Sequence, residues 1–295
     1  MSPSIAPIFH SKPFQKELDA LIDRTLKEDV GERDHTSFAC IPDNTIAEGR
    51  LLVKEDGIIA GIEVAQRIFK KLDKKITLDA FFKDGDQVTK GDIAFIVDGN
   101  ARMLHTGERV VLNMMQRMSG IATMANRLTQ LCNGTKAKVL DTRKTTPGIR
   151  LLEKWAVSIG GATNHRWGLY DMILIKDNHI HCSGGVKNAI KNTHAYLKRI
   201  KKKLDIEIEV SDLTELKEVL EIGGVQQILL DNLSPADISK AVKIIKGKYT
   251  TEASGGITES NIRKYALTGV DFISVGALTH SVKSLDLSLK IYPLE

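Results

Sequence analysis

Cysteine, aromatic residues and long apolar runs are all scarce in this 295-residue sequence. The three cysteines, Cys40, Cys132 and Cys182, lie far apart with no Cys-x-x-Cys spacing. That excludes a disulfide framework and a cysteine-rich zinc site, and it fits thiols kept reduced in a cytoplasm. The longest unbroken apolar run is the five residues Ile93 to Val97, far below the ~20 that cross a bilayer. The N-terminus carries Pro3, Pro7 and Pro13 instead of a basic start followed by an apolar stretch, so neither a membrane span nor secretion is expected. A surplus of one charge is also missing. The 42 Lys+Arg against 37 Asp+Glu leave +5, too balanced for a dedicated nucleic-acid binder but compatible with an anionic small substrate.

What is present describes a folded chain. Hydrophobic residues make up 42% and charged residues 27%, the ordinary globular balance, and the length suits one large domain or two ordinary ones. From Gly49 to Glu108 the pattern is β-like. Short runs at Arg50 to Glu55, Gly57 to Gly61, Ile76 to Lys83 and Ile93 to Val97 are punctuated by Asp-Gly pairs at Asp56, Asp84 and Asp98. A small antiparallel sheet domain is expected there. The stretch Lys83 to Asp92 resembles a hairpin of biotinyl- and lipoyl-carrier domains but lacks an acceptor lysine motif, which makes it a structural hairpin. Arg109 to Leu131 reads as a helix with Val111, Met115, Met118, Ala122 and Ala125 on one face and Met114, Ile121, Met124 and Leu128 beside them. A stripe that wide is core or subunit surface, and the subunit-interface reading is adopted.

Beyond Ala137 short β-branched runs alternate with helical stretches: Val139 to Asp141, Met172 to Lys176, Ile206 to Val210, Ile228 to Asp231, Tyr249 to Ser254 and Phe272 to Val275. The last three follow at intervals of about 22 residues, one βα unit each. Six such strands without a dinucleotide fingerprint predict an incomplete parallel α/β barrel of the TIM type, with a doubly wound sheet as the rival. Nearly every run ends in a charged or small polar group: Arg143 and Lys144 past the first, then Lys176, Glu209, Asp231, Glu252 with Ser254, and Gly276. In a barrel these positions converge on the C-terminal rim, where the chemistry is placed.

Asp141 to Arg150 puts three cations on a stretch broken by Pro147 and Gly148, hence a loop, which is either a binding loop or an ordinary solvated one. Asn164 to Asp171 and Ile175 to His181 add Arg166, Lys176 and three histidines. His179 and His181 lack the third ligand and helical spacing of a metal site, so surface or hydrogen-bonded histidines are the expectation. Strict alternation in Asp205 to Val210 places Glu207 and Glu209 on one face. If that face is the barrel interior, the acids need cationic partners, hydroxyls or a divalent metal; if the strand is an edge, they are simply wet. Ala253 to Ile257 and Ser274 to Leu278 put glycines at successive strand ends, where backbone N–H groups can approach a phosphate. The run Lys198 to Lys203 has no interleaved aromatics and reads as a solvated helix end.

Together these segments resemble the quinolinate phosphoribosyltransferase family over nearly the whole chain. The resemblance rests on Leu26 to Gly31, Gly107 to Arg109, Leu112-Asn113, Met118 to Thr123, Asp141 to Arg150, Asn164 to Arg166, Leu174 to His179, Glu207 to Glu209, Leu230 to Asn232, Glu252 to Ile257 and Asp286 to Lys290. It implies a smaller α+β, sandwich-like N-terminal domain, residues 1–115 joined by 279–295, and a catalytic α/β barrel over 116–278. It implies a cytoplasmic homodimer with shared active sites that joins quinolinate to phosphoribosyl pyrophosphate with loss of CO2, using magnesium, in NAD biosynthesis.

Carried over by position, Arg143, Lys144, His165, Arg166 and Lys176 would hold the quinolinate carboxylates and nearby phosphates, with Arg109 reaching in from the neighbouring subunit. Glu209 and Asp231 would contact ribose hydroxyls and, indirectly, magnesium. Ser254, Gly255, Gly256 and Gly276 would cradle the 5′-phosphate, with His280 a further candidate. Lys144, Lys176, Glu209 and Asp231 form the implied catalytic set. Two departures are visible: Ala162 stands where the family usually has a third consecutive glycine, and Gly31 to Asp34 lacks a second one. The glycine segments taken alone also suit a lyase or isomerase of a sugar phosphate, and a molybdenum-associated relative shares the barrel.

Overall fold

A computed structural model describes residues 6–294; the opening residues, Pro3 among them, lie outside that range. The chain divides into two compact units. One holds the chain up to Asn126, Thr145–Gly161 and the chain from Leu278; the other holds Arg127–Lys144 and Ala162–Ala277.

The first unit carries an antiparallel sheet. Its strands are β1 (Ile46–Val53), β3 (Thr77–Ala80), β5 (Ile93–Asn100) and β12 (Leu287–Pro293), in the order β12-β1-β5-β3. Two short strands, β2 (Gly57–Ile58) and β4 (Gln87–Val88), pair separately. The C-terminal segment thus returns to this sheet, with Leu289 opposite Leu51. Alternation on β1 buries Ala47, Leu51 and Val53 and leaves Ile46 and Arg50 outside.

Two stretches differ from the sequence expectation. Ile62–Leu72 is a helix inside the β-like region, because Ile62, Ala65, Ile68 and Phe69 recur at helical spacing and are all buried. The long helix runs Ala101–Leu131, beginning eight residues before Arg109. It passes straight through Gly107, where a Cβ would come within 2.7 Å of Leu72 and 3.1 Å of Phe69. Glycine is there for close packing, not to break the helix. Val111, Met115, Met118, Ile121, Ala122, Ala125 and Leu128 are completely buried within the chain, so the methionine stripe is core rather than the subunit interface expected.

Helix Arg150–Ile159, which follows the first parallel strand, belongs to the first unit. Trp155 stacks on Phe9 at 5.9 Å and meets Phe14 edge-on. At its end Gly160 lies against Ala122 and Ala125. The long helix continues unbroken across residue 116.

The second unit contains six parallel strands: β6 (Lys138–Leu140), β7 (Ile173–Ile175), β8 (Ile206–Val210), β9 (Gln227–Asp231), β10 (Thr250–Ser254) and β11 (Phe272–Ser274). Their order is β6-β11-β10-β9-β8-β7. From β7 to β11 the chain always steps to the next neighbour in one direction, and β6 then lies beside β11. A doubly wound sheet would reverse direction at its centre. Continuous winding with one open seam, between β6 and β7, is an incomplete barrel. On the open side of β6 a single bridge joins Leu140 to Thr163.

Candidate active site

Parallel strands in register end together, and in the second unit their C-terminal ends gather the polar groups on one rim. Ile175 pairs with Ile208 and Leu229 with Glu209, while Asp231 stands opposite Ser254. Lys176 directly follows β7 and begins the helix Asp177–Ser183. Its backbone N–H donates to Nδ1 of His179 at 2.9 Å, so His179 caps that helix. Lys176 Nζ lies 3.6 Å from Glu209 Oε2. Burial and the nearby charge of Asp231 raise the Glu209 carboxyl above its ordinary range, and Lys176 works against that rise.

The loop that carries Arg166 is tied to β6. Thr163 N–H donates to Val139 O at 2.8 Å. The fully buried carboxylate of Asp141 accepts from the His165 N–H at 2.8 Å and from Asn164 Nδ2 at 2.7 Å. Asp171 closes the next turn by accepting from the N–H groups of Trp167 and Gly168 at 2.7 and 2.9 Å, and Arg166 Nη1 donates to Met172 O at 3.3 Å. The Arg166 guanidinium is pulled below its usual range first by burial and then by the positive charge of Arg143. Two half-buried guanidinium groups therefore stand within electrostatic reach of each other. Lys144, exposed, follows Arg143 on the loop after β6.

Below the rim lies a network of interior polar groups. His165 Nε2 is 2.9 Å from Glu207 Oε2 and 3.4 Å from Glu252 Oε2. Gln227 Nε2 donates to both carboxyls, at 2.7 and 2.8 Å, and Ser274 Oγ donates to Glu252. Burial is the main cause of the raised carboxyl values, which reach about 7 for Glu207 and about 8 for Glu252. Among the described residues His165, Glu207 and Glu252 form one cluster whose ligand atoms lie close together. The Gln227 amide NH2, directed at both acids, ties the set into one hydrogen-bonded network. Glu207 lies wholly inside on β8, which has β7 and β9 on either side. The wet-edge alternative for this strand is ruled out.

Ser254 ends β10, and Gly255 and Gly256 follow with φ of +95° and +59°. Gly276 lies two residues past β11. The rim thus assembles Arg143, Lys144, His165, Arg166, Lys176, Glu209, Asp231, Ser254, Gly255, Gly256 and Gly276 from strand ends of one unit. Arg109 and His280 belong to the first unit. Arg109 is an exposed residue of the long helix, and His280, also exposed, has Nδ1 2.6 Å from Ser281 Oγ. The run Lys198 to Lys203 is the exposed end of helix Val186–Ile200.

Several groups escaped the sequence reading. Gln227 lies just outside the run Ile228 to Asp231, and Ser274 stands there only as the start of a glycine segment; a polar side chain beside apolar strand neighbours is the signal for each. In the first unit Arg117 forms an ion pair with the fully buried Glu153, Nη2 to Oε1 at 2.7 Å. Its guanidinium also donates to the carbonyls of Thr279 and Val282, and Glu153 Oε2 accepts from the Thr146 N–H at 3.0 Å. A lone arginine between Met114 and Ile121 was the visible trace of that clamp.

Residues 34–119 match the model of the quinolinate phosphoribosyl transferase N-terminal domain and residues 121–290 that of the C-terminal domain. The chain is 46% identical over 290 residues to the chloroplastic nicotinate-nucleotide pyrophosphorylase [carboxylating] of Arabidopsis thaliana, covering 93% of this chain and 83% of that one. It is 40% identical over 275 residues to a probable nicotinate-nucleotide pyrophosphorylase [carboxylating] of Bacillus subtilis, covering 93% of each. Among solved structures, NadC from Streptococcus pyogenes superposes with a TM-score of 0.90 at 40% identity, covering 97% of this chain and 99% of that one. With both domain models matched and identity of this extent along the chain, this protein belongs to the quinolinate phosphoribosyltransferase family.

Proposed function

We propose that the protein transfers the phosphoribosyl group of phosphoribosyl pyrophosphate to quinolinate, releasing pyrophosphate and CO2 and forming nicotinate mononucleotide for NAD biosynthesis. The observation that carries this reading is the pair Arg143 and Arg166, like charges brought together and partly desolvated on the rim that also holds Glu209 and Asp231. A dianion can be held by both guanidinium groups at once. Quinolinate has two adjacent carboxylates that suit two guanidinium forks, with Lys144, Lys176 and His165 as further partners. The glycine turn after Ser254, with Gly276, supplies backbone N–H groups for the 5′-phosphate.

In the reaction the pyridine nitrogen attacks the anomeric carbon while the bond from that carbon to pyrophosphate breaks, and pyrophosphate leaves with the electron pair. Positive charge builds on the ribose ring in the transition state, where Glu209 and Asp231 offset it. The ring nitrogen is then quaternary and cationic. The bond from C2 to its carboxylate breaks, CO2 departs, and the electron pair left at C2 is stabilised by the adjacent cationic nitrogen until a proton is taken up. No side-chain nucleophile takes part; holding two anions in line does most of the work. Carboxylates at neighbouring strand ends are suitable oxygen donors for magnesium, and Glu209 and Asp231 would hold it through water. Bound magnesium would neutralise pyrophosphate charge.

Arg109, exposed on its helix, is assigned to the site of a second copy, which makes the working form a homodimer. A cytoplasmic setting is supported by three cysteines that all remain free thiols. No helix among the described residues is long and apolar enough to cross a membrane.

The deciding experiment incubates the purified protein with quinolinate labelled in its C2 carboxyl. Release of labelled CO2 that requires both phosphoribosyl pyrophosphate and magnesium, one for one with nicotinate mononucleotide, is the expected result. Absence of release with all components present overturns the assignment.

A further inference from the structure

Asn232 follows β9 at the rim with φ of 55°. Among the described residues only Lys201 and Lys246 share a positive φ without being glycine, and both close the C-terminal ends of helices, where left-handed backbone is routine. Asn232 ends a strand and closes no helix. A left-handed non-glycine residue outside a cap is uncommon, and asparagine tolerates it better than most residues.

What that conformation achieves is visible in three contacts. The Asn232 side-chain Nδ2 donates to Asp231 Oδ2 at 2.6 Å. Its backbone N–H donates to Ser254 O at 2.9 Å, extending the β9 to β10 ladder by one bond past Asp231 and Ser254. Its side chain also fills the space over Gly255: a Cβ built on Gly255 would lie 2.6 Å from Asn232 Cγ and 2.8 Å from its backbone N. Gly255 is therefore required by its neighbour as well as by its own φ of +95°.

We infer that Asn232 is a positioning residue that fastens the Asp231 carboxylate to the Ser254 to Gly255 turn, so that the ribose and 5′-phosphate of phosphoribosyl pyrophosphate are gripped by one rigid unit. The inference rests on the function proposed above and adds a residue to it. Asn232 acts through Asp231 and the glycine turn, not on the reacting atoms. Its effect falls on one substrate: the cations of this unit assigned to quinolinate come from the loop after β6, the loop before β7 and the end of β7, none of which Asn232 touches through these contacts.

The test is steady-state kinetics on the full-length protein and two variants, with thermal denaturation alongside. Asn232→Gly keeps the backbone conformation at little cost while removing the side chain. Asn232→Asp keeps its size but replaces the donor with a second carboxylate beside Asp231. In both, KM for phosphoribosyl pyrophosphate should rise about tenfold or more, the loss of one hydrogen bond to a charged group, while KM for quinolinate changes less than about twofold. Asn232→Asp also serves if the glycine variant does not fold. A KM for phosphoribosyl pyrophosphate within twofold of the parent overturns the inference, as does an equal rise in both KM values accompanied by a lower Tm, which marks a merely structural residue. A parent protein with no turnover overturns the function and this inference with it; a parent that turns over normally beside unaffected variants overturns this inference alone.

Discussion

His165 Nε2 faces Glu207 Oε2 at 2.9 Å, and the next residue, Arg166, sits beside the charge of Arg143. Two consecutive residues therefore join the two layers of the site: an acidic network within the barrel and a cationic rim above it. Asp141 holds their backbone in place from below.

The acidic layer makes stability depend on pH. Burial raises Glu207 to about 7 and Glu252 to about 8 from an ordinary 4.5. Between those values the folded chain keeps protons that the unfolded chain releases, so this contribution is fully present below about 4.5 and is lost as pH rises towards about 8. Glu252→Gln imitates the protonated acid and should flatten the decline. Denaturation midpoints of parent and variant across pH 5 to 9, an interval of about four units spanning both raised values, provide the check. An equally steep decline in the variant contradicts the assignment.

Arg117→Met removes one partner of a buried ion pair. Glu153 is fully buried and would keep the Thr146 N–H but lose its charged partner, so a loss of about 3 kcal/mol is expected. Adding Glu153→Gln should recover part of it, because the stranded charge is then gone. Urea unfolding of both variants measures this.

Gly160→Ala separates packing from backbone freedom. Gly160 has φ of −73°, which alanine adopts readily, but the added Cβ would meet Ala125 at 2.7 Å and the Ala122 backbone. Stability should fall by about 1–3 kcal/mol. An unchanged Tm would show that the helix moves aside freely.

If Arg109 completes the site of a second copy, protomers carrying Arg109→Ala mixed with protomers carrying Lys176→Ala should regain activity. Each hybrid then contains one site with both residues intact. No recovery after demonstrated subunit exchange counts against a shared site.

Much of this architecture was readable in advance, for physical reasons. β-Branched runs between helical stretches marked all six barrel strands to within about two residues, because a strand buried on both faces must be apolar for most of its length. Charges at the strand ends marked the rim. The start of the long helix was hidden by Gly107, whose role depends on Leu72 and Phe69 from elsewhere in the chain. The same holds for Gln227 and Ser274, which become members of a network only once β9, β10 and β11 bring them beside two acids. Asn232 is visible in the sequence only as the last residue of the Leu230 to Asn232 segment, since a positive φ leaves no mark on composition or periodicity. The methionine stripe was apolar enough for either a core or a partner surface, and only the burial within one chain decides.

In the proposed function Arg143 and Arg166 jointly receive a dicarboxylate. Calorimetric titration of quinolinate into the parent protein, Arg143→Ala and Arg166→Ala tests it most directly. The parent should bind one quinolinate per chain, with each variant weakened at least about tenfold, the loss of one charge-assisted contact, and its Tm nearly unchanged. Parent-like affinity in both variants would contradict the account.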